Sequence, residues 1–272
     1  MSQGYAITNA LGALAASAFT WSSAYATSRD RLNDGVMDIP AASASSAQAS
    51  GQTLSIDFGA ATLLAGFALL NHNLASGACT VAITAGTDGI TYGTTAKAAS
   101  TITTTAPNQK DTVLQFPSAT FRYWRLTFVH TGTKIVTLGE VLALASITAL
   151  ARTTIYGTGE TERYVLNRND SETGSLRSTF LAGPLRSKTL PFKDLSTTER
   201  DELLTMFRAT QGGNANLLWV EFIESTATAA TAAGMECIWG KIGPVLSWTQ
   251  DDYRLFTPGG FEITGLGREV GA

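Results

Sequence analysis

Apolar and polar residues alternate along much of this chain, and a two-residue period sends side chains to opposite faces of a strand, not along one stripe of a helix. Leu54, Ile56 and Phe58 alternate with Ser55 and Asp57, and Cys79, Val81 and Ile83 with Thr80, Ala82 and Thr84. Further alternation runs through Val113–Phe116, through Trp124, Leu126 and Phe128, and through Ile135–Leu144. Leu63–Leu70 is apolar at both phases, which predicts a central strand covered on two sides. Thr87-Asp88-Gly89 supplies a turn in which glycine accepts a positive φ. Short strands and turns in this succession predict a mainly β fold whose N-terminal part is a jelly-roll β-sandwich.

Ala41–Gly51 and Thr94–Pro107 interrupt the alternation with small side chains and little charge, so they read as surface loops. Near Ser146–Arg152 the character changes, and charged residues become denser from Glu160 to Arg177. A module boundary placed there gives residues 1–148 and 149–272. In the second module Leu185–Phe192 reads as a strand. Ser196-Thr197-Thr198-Glu199 matches a capping box, Leu203, Leu204 and Phe207 recur at helical spacing, and Gly212-Gly213 stops the chain, so a helix is expected near 197–210. Apolar segments return at Leu217–Ile223, Met235–Ile242 and Phe261–Leu266, with Ser225–Gly234 as an Ala/Thr loop. Strand, helix and then several strands predict a split β-barrel-like α+β module with one helix.

Composition excludes several functions. The chain has 272 residues, 19 Lys and Arg against 22 Asp and Glu, and a net charge of −3. The basic residues are scattered, so no nucleic-acid footprint is visible. The first twenty residues lack a positive start and a dense apolar core, which argues against a signal peptide. Leu63–Leu70 is too short to span a bilayer, and no membrane insertion is expected. The two cysteines, Cys79 and Cys237, sit on alternating apolar segments and read as buried free thiols in different modules.

Chemistry has few carriers. His72 and His130 are the only histidines, and neither has a second His or Cys at ligand spacing. His72, within Asn71-His72-Asn73, reads as a solvated loop residue. Asp251-Asp252 precede Tyr253 and Arg254 in what reads as a turn, where solvated carboxylates outnumber catalytic ones. Thr257-Pro258-Gly259-Gly260 is a further turn signal. Asp30, Asn33, Asp34 and Asp38 form an oxygen-rich cluster that either holds a hard cation or caps turns. Trp21 and Tyr25 are either exposed stacking platforms or, the commoner fate, core aromatics. No catalytic, cofactor-binding or metal-ligating residue is assigned, no cofactor is implied, and no enzyme is expected.

Two resemblances sharpen these expectations. Residues 21–145 resemble the discoidin type of galactose-binding-like β-sandwich. The carriers are Trp21-Ser22-Ser23-Ala24, Leu32-Asn33-Asp34-Gly35 and Leu54-Ser55-Ile56-Asp57-Phe58-Gly59, then Thr87-Asp88-Gly89-Ile90-Thr91-Tyr92, Phe121-Arg122-Tyr123-Trp124-Arg125-Leu126 and Leu138-Gly139-Glu140-Val141. The resemblance implies binding of a glycan, lipid or protein through loops at one end of the sandwich. From Arg163 to Leu266 the chain resembles bacteriophage distal-tail and baseplate proteins. The carriers there are Leu166-Asn167-Arg168, Asp170-Ser171-Glu172-Thr173-Gly174, Leu190-Pro191-Phe192, Leu195-Ser196-Thr197 and Gly212-Gly213 before Leu217-Leu218-Trp219. That resemblance implies a structural component of a phage tail tip, made in the host cytoplasm and located in the virion. Its partners would be other phage tail proteins in a homo-oligomeric ring, with a host-surface glycan as a further ligand. The alternative is a free carbohydrate-binding protein, or the binding module of a glycan-degrading system.

Overall fold

A computed structural model of the chain describes residues 2–11, 14–22, 32–33, 41–47, 51–74, 79–102, 111–130, 134–154, 159–170, 176–223, 225–230, 233–252 and 254–265. It is mainly β, and its strand pairs are antiparallel. Among the described residues no helix is long and apolar enough to cross a membrane. Two compact units emerge: Met1–Ala149 with Leu218–Cys237, and Leu150–Leu217 with Ile238–Ala272.

The first unit is built on two long strands. Gln52–Leu70 pairs antiparallel with Thr112–Val129 over most of its length, with a register shift between Asp57 and Thr62. The alternating run at 54–58 and the apolar run at 63–70 are thus one strand, as are the runs at 113–116 and 124–128. On either side of the irregularity the neighbours change. Gln52–Asp57 carries Phe19–Trp21 on its other edge, whereas Gly66–Leu70 carries Glu140–Leu144. Residues 66–70 have a strand on both edges and are buried throughout, as the apolar run predicts, whereas Leu63 at the start of that run is half exposed. Thr112–Val129 in turn pairs with Thr80–Gly86, which pairs with Thr94–Thr101.

Inward phases from both halves meet in one core. Trp124 is completely buried, with its ring 5.9 Å from Phe67, 5.4 Å from Phe116 and 5.9 Å from Phe121. Trp21 is buried 5.9 Å from Phe128, which resolves its reading toward the core. Aromatic pairs in these offset and edge-on arrangements contribute beyond their buried area.

Where they are described, the two small-residue stretches are mostly strand and not loop, at Ala41–Ala47 and Thr94–Thr101. Ala41–Ala47 pairs with Lys134–Leu138, and Thr94–Thr101 pairs with Thr80–Gly86. Ala41, Ser43, Ala96, Lys97 and Ser100 are buried. Ladder hydrogen bonds come from the backbone, so a strand of small residues forms wherever a neighbour supplies the edge. Lys97 Nζ donates to the carbonyls of Gln115 (3.0 Å) and Ala229 (2.7 Å). The second of these lies in Thr226–Ala229, a short helical turn within what reads in sequence as a loop.

Ser2–Ala6 pairs with Leu218–Ile223 on one edge and with Thr148–Ala149 on the other. That pairing carries Leu217–Ile223 to the first unit apart from its first residue, although its position in sequence assigns it to residues 149–272. Cys79 and Cys237 are buried free thiols, and both belong to the first unit.

In the second unit Gly159–Asp170 pairs with Leu176–Thr189 as a long hairpin, and Ser187–Thr189 pairs with Glu262–Thr264. Gly240, Lys241 and Ile242 lie on the other side of that last strand. The helix spans Thr197–Ala209, and its capping box is complete: Ser196 Oγ accepts from the Glu199 amide and Glu199 Oε2 from the Ser196 amide. Burial depresses the Glu199 carboxylate's acidity, but the two Ser196 hydrogen bonds and the charge of Arg152 outweigh it, and the pKa falls below its ordinary value. Leu203 is buried as expected, but its buried partner is Met206, while Phe207 is half-exposed. Gly213, at φ +84°, ends the turn where a Cβ would lie 2.1 Å from the Ile242 carbonyl oxygen.

Candidate functional site

The outward phase of the first unit's sheet brings polar, charged and aromatic side chains together. Thr20 is the register partner of Ser55, Ser55 of Arg125 and Arg125 of Thr84. In the adjoining row Asp57 partners Tyr123, and Tyr123 partners Gly86. Their chain neighbours Leu54, Ile56, Ile83, Trp124 and Leu126 are fully buried on the other face. The alternation that fills the core thus leaves a polar and aromatic row on the outside.

The Thr87–Gly93 turn folds over one end of this row. Asp88 Oδ1 accepts from the amides of Thr91 (2.7 Å) and Ile90 (3.0 Å), and these bonds hold its carboxyl below the usual pKa. Gly89 adopts φ +72°, and a Cβ there would stand 2.9 Å from the Tyr123 ring. Glycine is therefore needed twice, for the backbone and for the ring beneath it. The turn ends at Tyr92, over whose ring the Arg125 guanidinium carbon sits 3.6 Å from the centroid.

Strands and turn enclose an open depression of about 340 Å³ whose lining includes Thr20, Ser55, Asp57, Tyr92, Tyr123 and Arg125. Arg122 forks onto Asp57, Nε to Oδ1 at 2.7 Å and Nη2 to Oδ2 at 2.9 Å, and lies 4.7 Å from the Tyr123 ring centroid. The Gly59 amide also donates to Asp57 Oδ1 at 2.7 Å. The Arg122 hydrogen bonds lower the Asp57 pKa, against the opposing effect of burial, and Asp57 raises that of Arg122. Arg125 is held differently. Its Nε donates to Ser55 Oγ at 3.1 Å, and among the described residues no carboxylate meets its terminal nitrogens.

The residues singled out in the sequence fall elsewhere. His72 is buried, not solvated: its Nε2 lies 2.9 Å from Thr112 Oγ1, and its Nδ1 accepts from the Leu74 amide at 3.2 Å. It braces the end of the central strand. His130 follows the strand Thr112–Val129. Asp251 and Asp252 are exposed on the hairpin of Ser247–Asp252 with Leu255–Gly259, where the Thr257 hydroxyl donates to Asp251. Thr257, Pro258 and Gly259 belong to that strand, and Gly260 alone takes a positive φ. Tyr25, Asp30, Asp34 and Asp38 lie outside the described residues, while Asn33 Nδ2 donates to the carbonyls of Leu11 and Leu14. Among the described residues no group of three or more His, Cys, Asp and Glu side chains is placed to hold a metal ion.

The site residues appear in the sequence only inside fold motifs. Tyr123 and Arg125 flank Trp124 in the outward phase of an alternating strand, and Tyr92 follows a turn. The phase is readable from periodicity. Their convergence depends on a register between three strands that periodicity does not contain.

No family model and no curated protein matches the chain. Among solved structures, it is similar to chitosan-binding module 1 from a chitosanase/glucanase of Paenibacillus sp. IK-5, at 21% identity and a TM-score of 0.37 over 50% of this chain and 98% of that one. It is also similar to a fucose-binding module of Streptococcus pneumoniae, at 13% identity and a TM-score of 0.40 over 52% of this chain and 96% of that one. A third is CBM32-1 from a family 31 glycoside hydrolase of Clostridium perfringens, at 18% identity and a TM-score of 0.37 over 46% and 93%.

Proposed function

We propose that the chain is a non-catalytic binding protein whose first unit holds a saccharide on the outer sheet face bearing Ser55, Tyr92, Tyr123 and Arg125. The observation that carries this assignment is the meeting of two tyrosines with an arginine in one open depression. A sugar ring presents C–H faces edged by hydroxyls. Aromatic rings cover the former, and a guanidinium or serine hydroxyl hydrogen-bonds the latter. The depression is shallow and open, as suits the end or side of a chain.

The setting we propose is a phage tail tip, in which the second half assembles with other tail proteins in a homo-oligomeric ring and the first half attaches to a glycan. Its support is the resemblance carried by residues 163–266, together with the strand, helix and strand order of that half. A free glycan-binding protein would use the same face without the ring. Mass spectrometry of purified particles separates the two, because a tail component is present at fixed copy number and a free lectin is absent.

The test of the binding role is a glycan array followed by calorimetry on the full chain. A saccharide ligand is expected, and Tyr92→Ala with Tyr123→Ala should weaken it by roughly tenfold or more through lost ring contact. Binding that is unaffected by both substitutions, or no glycan ligand at all, would overturn the assignment.

A further inference from the structure

We infer that the saccharide taken by this face carries a carboxylate, and that Arg125 reads it. The inference rests on the binding role just proposed and adds the chemical class of the ligand. Arg125 lines the depression, Arg122 contacts its lining residues Asp57 and Tyr123, and the two cations differ in what they already hold. Arg122 is committed: its fork occupies both oxygens of Asp57, whose Oδ1 takes the Gly59 amide as well. Among the described residues Arg125 spends only its Nε, on a neutral serine hydroxyl, and its planar group lies against the Tyr92 ring.

The bond to Ser55 and the stack on Tyr92 fix both the position and the plane of the guanidinium. What remains is the edge made by Nη1 and Nη2, two parallel donors spaced for the two oxygens of a carboxylate. Asp57 cannot supply that counter-charge, because Arg122 holds it, and the Asp88 oxygen is turned onto the amides of its own turn. The half-buried Arg125 therefore presents its positive charge beside two tyrosine rings, with no carboxylate among the described residues in contact with its terminal nitrogens. A hydroxyl could take one of its donors. A carboxylate takes both, with charge.

The experiment is calorimetric titration of the full chain with oligosaccharides of galacturonate and glucuronate and with a sialylated oligosaccharide, each beside its own methyl ester. Esterification removes the charge and keeps the sugar. The free acid of at least one pair should bind about tenfold or more tightly than its ester, and the margin should shrink as salt rises. Arg125→Gln should erase the margin, while Arg125→Lys, which keeps charge but loses the planar fork, should retain only part of it. Equal affinity for acid and ester would overturn the inference and leave saccharide binding standing. No binding of any acidic or neutral saccharide would overturn both. If Arg125→Gln fails to fold, the acid–ester comparison on the unaltered chain still decides.

Discussion

The two faces of the sheet around Trp124 are written by the same strands yet do opposite work. On the inner face Leu54, Ile56, Trp124 and Leu126 are fully buried in the apolar core, where the Trp124 indole N–H donates to the Phe121 carbonyl. On the outer face, one residue out of phase, Ser55, Asp57, Tyr123 and Arg125 carry hydrogen bonds, charge and open rings. The lesson is a separation of costs. Inner residues set stability and tolerate little change in volume, whereas outer residues can vary with the ligand while the fold persists.

The largest effect that would test this separation is Trp124→Ala. Removing a fully buried indole from a cluster with Phe67, Phe116 and Phe121 should cost about 3–5 kcal/mol, read by chemical denaturation. A loss under 1 kcal/mol would mean that the inner face is not the core. Gly89→Ala comes next, in the turn that lies against Tyr123. The positive φ costs about 1–2 kcal/mol, and the added methyl must displace the Tyr123 ring, so stability and saccharide affinity should fall together. Unchanged affinity would detach the turn from the site.

The smallest effect is that of pH on the outer face. Asp57 has a pKa below its ordinary value in the folded chain, so the stability it contributes is present above the unfolded pKa and is lost as pH falls through the folded one. Wild type should therefore lose stability faster than Asp57→Asn as pH drops below about 4. The difference should be small, because the Arg122–Asp57 pair is largely exposed. Identical acid limbs would show that the fork contributes nothing to folding.

How much of this was legible depends on whether the signal was local. The Asp88-Gly89 turn and the capped helix declare themselves within a few residues and stand where the pattern puts them, and of the apolar run 63–70 the part from Gly66 to Leu70 is buried as read, within a longer strand. Ala41–Ala47 and Thr94–Thr101 do not, because small side chains give no alternation and their pairing comes from a neighbouring strand. The burial of His72 follows from a hydroxyl forty residues away in sequence, at Thr112. The site was half legible. The outward phase of Tyr123 and Arg125 is periodic, but the stacking of Arg125 on Tyr92 exists only once the turn has folded back.

The central claim is that recognition sits on the outer face of the sheet. The measurement that addresses it most directly is a crystal structure of the full chain with the tightest-binding oligosaccharide from the titrations. A sugar ring against Tyr92 and Tyr123, with its carboxylate on the Nη edge of Arg125, is the expected result. A sugar held at another surface, with this depression bare, would contradict it.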